Sequence, residues 1–471
     1  MLAYNDLRAY LKNLEEKGLL KRISKTVNKD WEIAAVCRVV FQDIPEAQRP
    51  ALLFEHVEGY EIPVVVGVLG GSRAIYCQAI GAEPKAILNK WKQATANPIT
   101  PLQVASGVCQ ENVLMGEKAD IFKFPVPIWT VGQDSGPYLT SPYVITKDPQ
   151  TGIRNVGTYR TQLKEPRKVA VWANFLQGGR FNIEDWWSLG KDCPVAIVVG
   201  CDPSVGLVSV TKPPHGVDEL ALAGGLRGEA LRVVACRTVD LEVPAYAEIV
   251  IEGITKVNAL EDEGPFGEYT GYMGALAKSF VVDITCVTHR NQPIYQAFVS
   301  QMPPSESSCI RALSWEAAIW KHLVEDLSMP VKDVHLLECT GSAGILAIAM
   351  AKRYETQPKE AILAAWACQP FMGKYTVVVD EDIDVRDLAQ VGWALAWRTQ
   401  PDKDLFVVNN LQAIQLDPSQ AAAEVSMMDP VRRVSAKVGI DATKKHTYPA
   451  VALPPKEHLD FVRAHWHEYG F

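Results

Sequence analysis

The chain has no CxxC pair, and its ten cysteines are scattered singly at positions such as Cys37, Cys109, Cys236 and Cys368. Without close Cys/His clusters, neither a structural zinc site nor a disulfide framework is expected, and the thiols read as buried side chains of a reducing compartment. Basic charge is not in excess: 47 Lys and Arg face 55 Asp and Glu, a net charge of −8 with pI near 5.7. That balance argues against a nucleic-acid or anionic-membrane surface. No apolar run approaches the ~18 residues of a membrane span. Met1-Leu2-Ala3-Tyr4-Asn5-Asp6 lacks the basic and apolar blocks of a signal peptide, so a cytoplasmic protein is expected. The turn Gly67-Val68-Leu69-Gly70-Gly71-Ser72-Arg73 matches neither GxGxxG nor the GKS/T phosphate loop and reads as a plain strand-to-helix turn. Asp380, Glu381, Asp382 and Asp384 lack the EF-hand spacing and its glycine, which leaves strand-end and helix-cap duty. Internal repeats and low-complexity segments are absent.

What remains is a globular chain of 471 residues, 48% hydrophobic and 22% charged, sufficient for about two to four domains. Leu7, Tyr10, Leu11 and Leu14 recur at helical spacing behind Asn5 or Asp6 as cap, and Gly18 closes the helix. With a second helix around Trp31–Phe41 and strands at Ala51–Phe54 and Ile62–Gly67, residues 1–108 read as an α/β domain. From 109 to 304 the texture is β. Runs at Tyr143–Thr146, Gly157–Leu163, Lys168–Phe175, Pro194–Gly200 and Tyr246–Glu252 predict a barrel or sandwich, with helical inserts near Ile183–Leu189 and Asp218–Leu226. Residues 305–449 turn α/β again. Strand Tyr375–Val379, a helix capped by Asp384 and strand Leu405–Val408 suggest a βαβ unit and a parallel sheet. Residues 450–471, with His458, His465, Trp466 and His467, read as a docking helix, and nothing nearby completes a metal site around the histidines.

The chemistry concentrates in Glu263-Gly264-Pro265-Phe266-Gly267-Glu268. Pro265 and the two glycines exclude regular helix, leaving a tight loop with an acid at each end. Two carboxyls in unequal environments suit proton transfer, although a loop with solvated acids would look the same in sequence. Three other places stand beside it. Asn155-Val156-Gly157-Thr158-Tyr159-Arg160 carries an amide and a guanidinium on one strand-like run. Positions five apart on an unbroken strand point to opposite faces, so a shared site requires a bulge at Gly157 or a strand that begins after Asn155. Pro213-Pro214-His215-Gly216-Val217-Asp218-Glu219 leads into an apolar helix, and Ser435-Ala436-Lys437-Val438-Gly439-Ile440-Asp441-Ala442-Thr443 sets a lysine before a short strand.

Together and in this order, these segments resemble the UbiD-like decarboxylases, which use prenylated flavin mononucleotide. The resemblance covers nearly the whole chain, and its most specific part is NxGxYR followed far downstream by EGPFGE. It implies a mixed α/β and β fold: an N-terminal α/β domain, a central split β-barrel that binds flavin, and a C-terminal α/β domain with a terminal helix. It implies a catalytic trio of Arg160, Glu263 and Glu268, with Glu268 as proton donor and Glu263 orienting Arg160. The flavin is the implied electron sink. Its implied contacts are Asn155, Thr158, Tyr159, Arg160, Trp172, Gln177, Gly178, Glu219 and Lys437, the lysine meeting the phosphate. Asn155 and Glu219 are implied ligands of Mn2+ or Mg2+, and Ser209 lies at the position beside K+. The chain departs from the pattern where many members supply a histidine to the divalent ion: no His lies between Arg160 and His215, and Phe175-Leu176-Gln177-Gly178-Gly179 stands there. Gln177, water or His215 are the substitutes.

The implied activity is reversible, non-oxidative decarboxylation of an aromatic, heteroaromatic or α,β-unsaturated acid, releasing CO2. A flavin prenyltransferase is the implied cofactor supplier, and a homodimer or homohexamer the implied assembly. Phe266, Tyr269, Met273, Gln301, Met302 and Glu306 are candidates to shape the substrate pocket. The competing readings are an FMN-dependent oxidoreductase on a related split barrel and a non-catalytic flavin-binding protein. The acid pair and the missing dinucleotide fingerprint count against the first. The second predicts bound flavin that does not respond to substrate.

Overall fold

A computed structural model describes residues 4–174, 177–211, 216–414, 416–420 and 434–470. The opening helix forms as its spacing dictates, over Leu7–Glu16, with Asp6 accepting the Ala9 N–H and Leu7, Tyr10, Leu11 and Leu14 all buried. It packs near a four-stranded sheet in the order Leu20–Ile23, Ala51–Phe54, Val64–Val66, Tyr295–Ala297. The last strand comes from far along the chain and runs parallel to Val64–Val66, tying the expected 109–304 segment into the N-terminal sheet.

The turn after Val64–Val66 leads into helix Arg73–Ile80, capped by Ser72, as a strand-to-helix turn should. Its amides are nevertheless occupied by an anion from within the chain. Glu306, fully buried at the start of helix Glu306–Lys321, accepts N–H bonds from Gly67 (2.8 Å), Leu69 (2.9 Å) and Gly70 (3.3 Å). Burial pushes its carboxyl up to about 7 against the pull of those donors. Glu306→Leu leaves those donors without an acceptor, and each orphaned buried group costs about 1–3 kcal/mol. A loss of several kcal/mol in urea denaturation is the expected result.

The central region is one ten-stranded sheet curled into a half-barrel. Its path runs Tyr138–Leu139, Thr161–Glu165, Lys168–Val171, Ala277–His289, Ile249–Thr255, Cys193–Val199, Tyr143–Lys147, Arg154–Thr158. Two more strands, Leu260–Glu263 and Asn112–Met115, pair with Ala277–His289, whose length lets it serve several neighbours. Helices Gly178–Ser188 and Glu219–Arg227 stand where inserts were expected. The two sheet faces feed separate apolar cores, because side chains alternate across a strand: Val198 packs into one and Ile197 and Val199 into the other.

The C-terminal sheet corrects the expected βαβ unit. Its order is Val331–Leu336, Ile345–Met350, Tyr375–Asp380, Val434–Ala442, Leu405–Gln412. Val434–Ala442 lies between Tyr375–Asp380, to which it is parallel, and Leu405–Gln412, to which it is antiparallel. The parallel crossover joins instead Ile345–Met350 to Tyr375–Asp380 through helix Gln357–Cys368. Asp387, not Asp384, caps helix Leu388–Arg398. Asp380 and Asp382 face the buried Arg398 at 2.7 and 2.8 Å, while Glu381 pairs with Lys332 and Asp384 accepts the Arg386 N–H. The terminal helix Lys456–Ala464 buries none of its residues against the rest of the chain. All ten cysteines are free, and most are buried. Among the described residues no helix is long and apolar enough to cross a membrane.

Candidate active site

Arg154–Thr158 pairs with Tyr143–Lys147 in unbroken register, from Lys147 opposite Arg154 to Tyr143 opposite Thr158. The strand neither bulges at Gly157 nor begins after Asn155; it ends at Thr158, and a new strand starts at Thr161. The expected single run Gly157–Leu163 is therefore two strands, and Arg160 lies in the gap, released from the alternation that would aim it away from Asn155. Gly157 is required by packing instead: a Cβ there would collide with the ring of Tyr159, and so would one at Gly179. The Tyr159 hydroxyl, held by the Gly179 N–H at 3.1 Å, also meets the Asn155 amide.

The acid loop is held from both sides. Glu263 ends its strand, and Gly264 follows with φ +97°, a left-handed conformation that favours glycine. Its N–H donates to the Tyr138 hydroxyl at 3.2 Å, and Phe266 packs on the Tyr138 ring with centroids 4.3 Å apart. Asp134 accepts N–H bonds from Trp129, Thr130 and Gly267, pinning the far side of the loop.

Arg160 joins the two acids. Its Nε and Nη2 fork onto Glu263 at 2.9 and 2.8 Å, while Nη1 donates to Glu268. The guanidinium lies over Trp172, 4.4 Å from the ring centroid. Glu263 is wholly inaccessible, and Glu268 is 9% exposed. Burial, followed by opposing attraction from Arg160 and repulsion from Glu263, leaves the Glu268 carboxyl above its ordinary range. A shift in that direction favours the proton-bearing form, which is the form a general acid requires.

Arg160 and Glu268 open onto a cavity of about 600 Å3 that also takes in Asn155, Thr158, Tyr159, Trp172, Gln177, Gly178, Ser209 and Glu219. Its size suits a cofactor together with a small substrate. Among the lining residues, Glu219 is 6% exposed and accepts the Val156 N–H at 3.0 Å. Among the described residues no cation pairs with it, and burial pushes its carboxyl up to about 7. An oxygen donor of this kind fits a hard divalent cation completed by phosphate and water. The donors around Asn155, namely Val156 N–H, the Tyr159 hydroxyl and Gly179 N–H at 3.0–3.2 Å, require its amide oxygen to face them, so a cation would have to draw that oxygen away. Ser209 Oγ lies 2.8 Å from Thr158 Oγ1 and donates to the Gly206 carbonyl. Gln177 Oε1 accepts the Asn174 N–H at 2.6 Å. His215, Phe175 and Leu176 lie outside the described residues. Among those described, no three His, Cys, Asp or Glu side chains gather to hold a metal unaided.

Two expected site residues do not line the cavity. Glu263 stands behind Arg160, and Lys437 directs Nζ to the Pro370 and Met372 carbonyls at 2.7 and 2.6 Å, beside the lining residue Phe371. Of the pocket candidates, Phe266 and Tyr269 line it; Met273, Gln301, Met302 and Glu306 do not. Sequence reasoning missed Arg311 and Trp315, which do. Their four-residue separation on helix Glu306–Lys321 puts them on one face, a signal that was available.

Comparison with known proteins gives this geometry its family. Sequence models of the 3-octaprenyl-4-hydroxybenzoate carboxy-lyase match in three parts: the N-terminal domain over residues 11–95, the Rift-related domain over 101–303 and the C-terminal domain over 309–442. Among solved structures, the UbiD-class enzyme HmfF from Pelotomaculum thermopropionicum in complex with FMN is 33% identical, with a TM-score of 0.85, over 97% of this chain and 99% of that one. An evolved dimeric form of HmfF in complex with prenylated FMN gives 33% and 0.83, over 97% and 98%. The vanillic acid decarboxylase of Sedimentibacter hydroxybenzoicus, in open form, gives 28% and 0.83 over the full length of both chains. With its three domains matched and its length shared with these enzymes, the chain belongs to the UbiD family of carboxy-lyases.

Proposed function

We propose that this protein is a reversible, non-oxidative decarboxylase of an aromatic, heteroaromatic or α,β-unsaturated carboxylic acid that works with prenylated FMN. The observation that carries the proposal is the Arg160–Glu263–Glu268 ion network beside a cavity that is also lined by the uncompensated carboxyl of Glu219. The net reaction takes a carboxylate and a proton to CO2 and the protonated product. When bound, the prenylated flavin supplies the electron sink for the pair left behind by departing CO2.

Glu268 delivers the proton to the carbon that loses CO2. Arg160, fixed by its fork to Glu263 and by Trp172, holds the Glu268 carboxyl and the reacting end of the substrate in register. Phe266, Trp172 and Tyr269 present apolar faces to the cavity, which suits a planar, ring-bearing acid. Glu219, with Asn155, would hold Mn2+ or Mg2+ against the flavin phosphate, and Ser209 would stand beside K+. Lys437, whose ammonium donates to the Pro370 and Met372 carbonyls, would turn its remaining donor to the flavin phosphate. A flavin prenyltransferase would supply the cofactor.

The test is production together with a flavin prenyltransferase, mass determination of the released cofactor and assay of CO2 release over a broad acid panel. Prenylated FMN with turnover of at least one acid is expected; full loading without any turnover counts against the proposal. Glu219→Gln removes the formal charge that would balance the cation. The variant is expected to fold, to lose the divalent ion on dialysis and to retain less flavin, as read by metal analysis and absorbance.

A further inference from the structure

Three guanidinium groups line the cavity; Arg154 is paired with Asp218 and Glu242, and the surroundings of the other two differ in kind. Arg160 is forked onto Glu263 and bonded to Glu268. Arg311, on helix Glu306–Lys321, has no carboxylate within ion-pair distance among the described residues. Its Nη2 donates to the Gly341 carbonyl at 3.0 Å, and its Nε is buried without a hydrogen-bond partner. The guanidinium is packed between the Tyr269 ring, 4.2 Å from Cζ, and the Trp315 ring at 5.2 Å. Burial pushes its pKa below the ordinary guanidinium value, with only a smaller opposing attraction from Tyr269 and Glu268. A partly desolvated cation with an idle donor is costly unless an anion completes it.

The charges at this end of the cavity point the same way. Glu263 neutralises Arg160, and Asp134 is compensated by three backbone N–H groups outside the cavity. When Glu268 carries the proton it is to deliver, Arg311 is left as one positive charge in excess. A substrate monocarboxylate supplies the one negative charge missing.

We infer that Arg311 is the residue that recognises the substrate as an anion, its free donors and charge selecting a carboxylate over a neutral group of the same shape. The inference rests on the decarboxylase reading and deepens it: Arg160 organises the reacting groups, while Arg311 provides the charge that draws the acid in. The shelf formed by Tyr269 and Trp315 keeps the guanidinium from following the substrate out.

The test is equilibrium binding to the full-length protein of matched pairs, benzoate against benzamide, 2-furoate against 2-furamide and cinnamate against cinnamamide. The wild type is expected to favour at least one acid over its amide by roughly tenfold or more, the range of a charge-assisted hydrogen bond. Arg311→Met is expected to bring that ratio close to one while leaving amide affinity unchanged. Arg311→Lys falls between, since a point charge does not reproduce the guanidinium fork. A purely structural role would weaken acid and amide alike. A wild type that does not discriminate, or an Arg311→Met variant that keeps the wild-type ratio, overturns the inference. Absence of CO2 release with loaded cofactor overturns the decarboxylase reading instead, so the two failures are distinguishable.

Discussion

Glu268→Gln is expected to lower decarboxylation by roughly 10²–10⁴-fold, the contribution of a positioned general acid. The substitution keeps the shape of the side chain and an oxygen facing Arg160 Nη1, but the amide has no proton to give. Flavin binding should survive, because Asn155, Thr158, Tyr159, Gln177, Gly178 and Glu219, lining groups proposed to hold the cofactor, are unchanged. Exchange of the product's ring or vinyl proton with solvent should be lost in step with turnover, since both use the same transfer. The pH dependence has a definite sign. The Glu268 carboxyl is raised above its ordinary value by burial, so the proton-bearing form persists toward neutral pH and disappears as pH rises through the shifted value. Turnover in the wild type should therefore fall on the alkaline side, and Glu268→Gln should remove that limb from the profile. Stopped-flow turnover across pH, together with exchange followed by NMR in deuterated buffer, checks both. Wild-type rates in the variant would withdraw the assignment of Glu268 as acid.

How much of this was legible before the fold was known depended on what each residue needs from its neighbours. The opening helix is local: four apolar residues at helical spacing and an aspartate cap suffice, and all of them behave as read. Glu263 and Glu268 were legible because glycine and proline between them restrict the backbone to a loop. The strand break at Tyr159 was not. Gly157 suggested a bulge, yet its lack of a side chain serves the Tyr159 ring, a neighbour brought back by the turn after Thr158. The C-terminal sheet failed for a related reason. Tyr375–Asp380 and Leu405–Gln412 are successive strands around a helix, and nothing local shows that Val434–Ala442, further along the chain, inserts between them. Lys437 and Glu306 were charged residues near resembling motifs, but each is committed to backbone groups that only the tertiary structure brings within reach. Arg311 was passed over because a single arginine on an apolar helix carries no motif. Its meaning comes from the carboxylate it lacks.

Arg160→Met should be the most disruptive single change at the site. It preserves much of the side-chain volume over Trp172 and removes the one guanidinium that bonds two buried carboxylates. Breaking a buried ion pair by deleting one partner costs about 3–5 kcal/mol, because the remaining charge is left desolvated. Here two carboxylates are left, so the upper part of that range is expected in urea denaturation at neutral pH, together with loss of turnover. The deficit should shrink as pH falls, since protonation of Glu268, whose carboxyl burial raises, removes one of the buried negative charges. Pairing the change with Glu263→Gln supplies the control. Where two residues act through one interaction, their effects are not additive, so Arg160→Met with Glu263→Gln should be less destabilised than the sum of the single variants. Turnover should not recover in the double variant, because the neutral pair can pack the loop but has no charge with which to hold Glu268. Stability regained without activity would separate the two duties of Arg160: balancing the acids that the loop buries, and aiming the one that reacts.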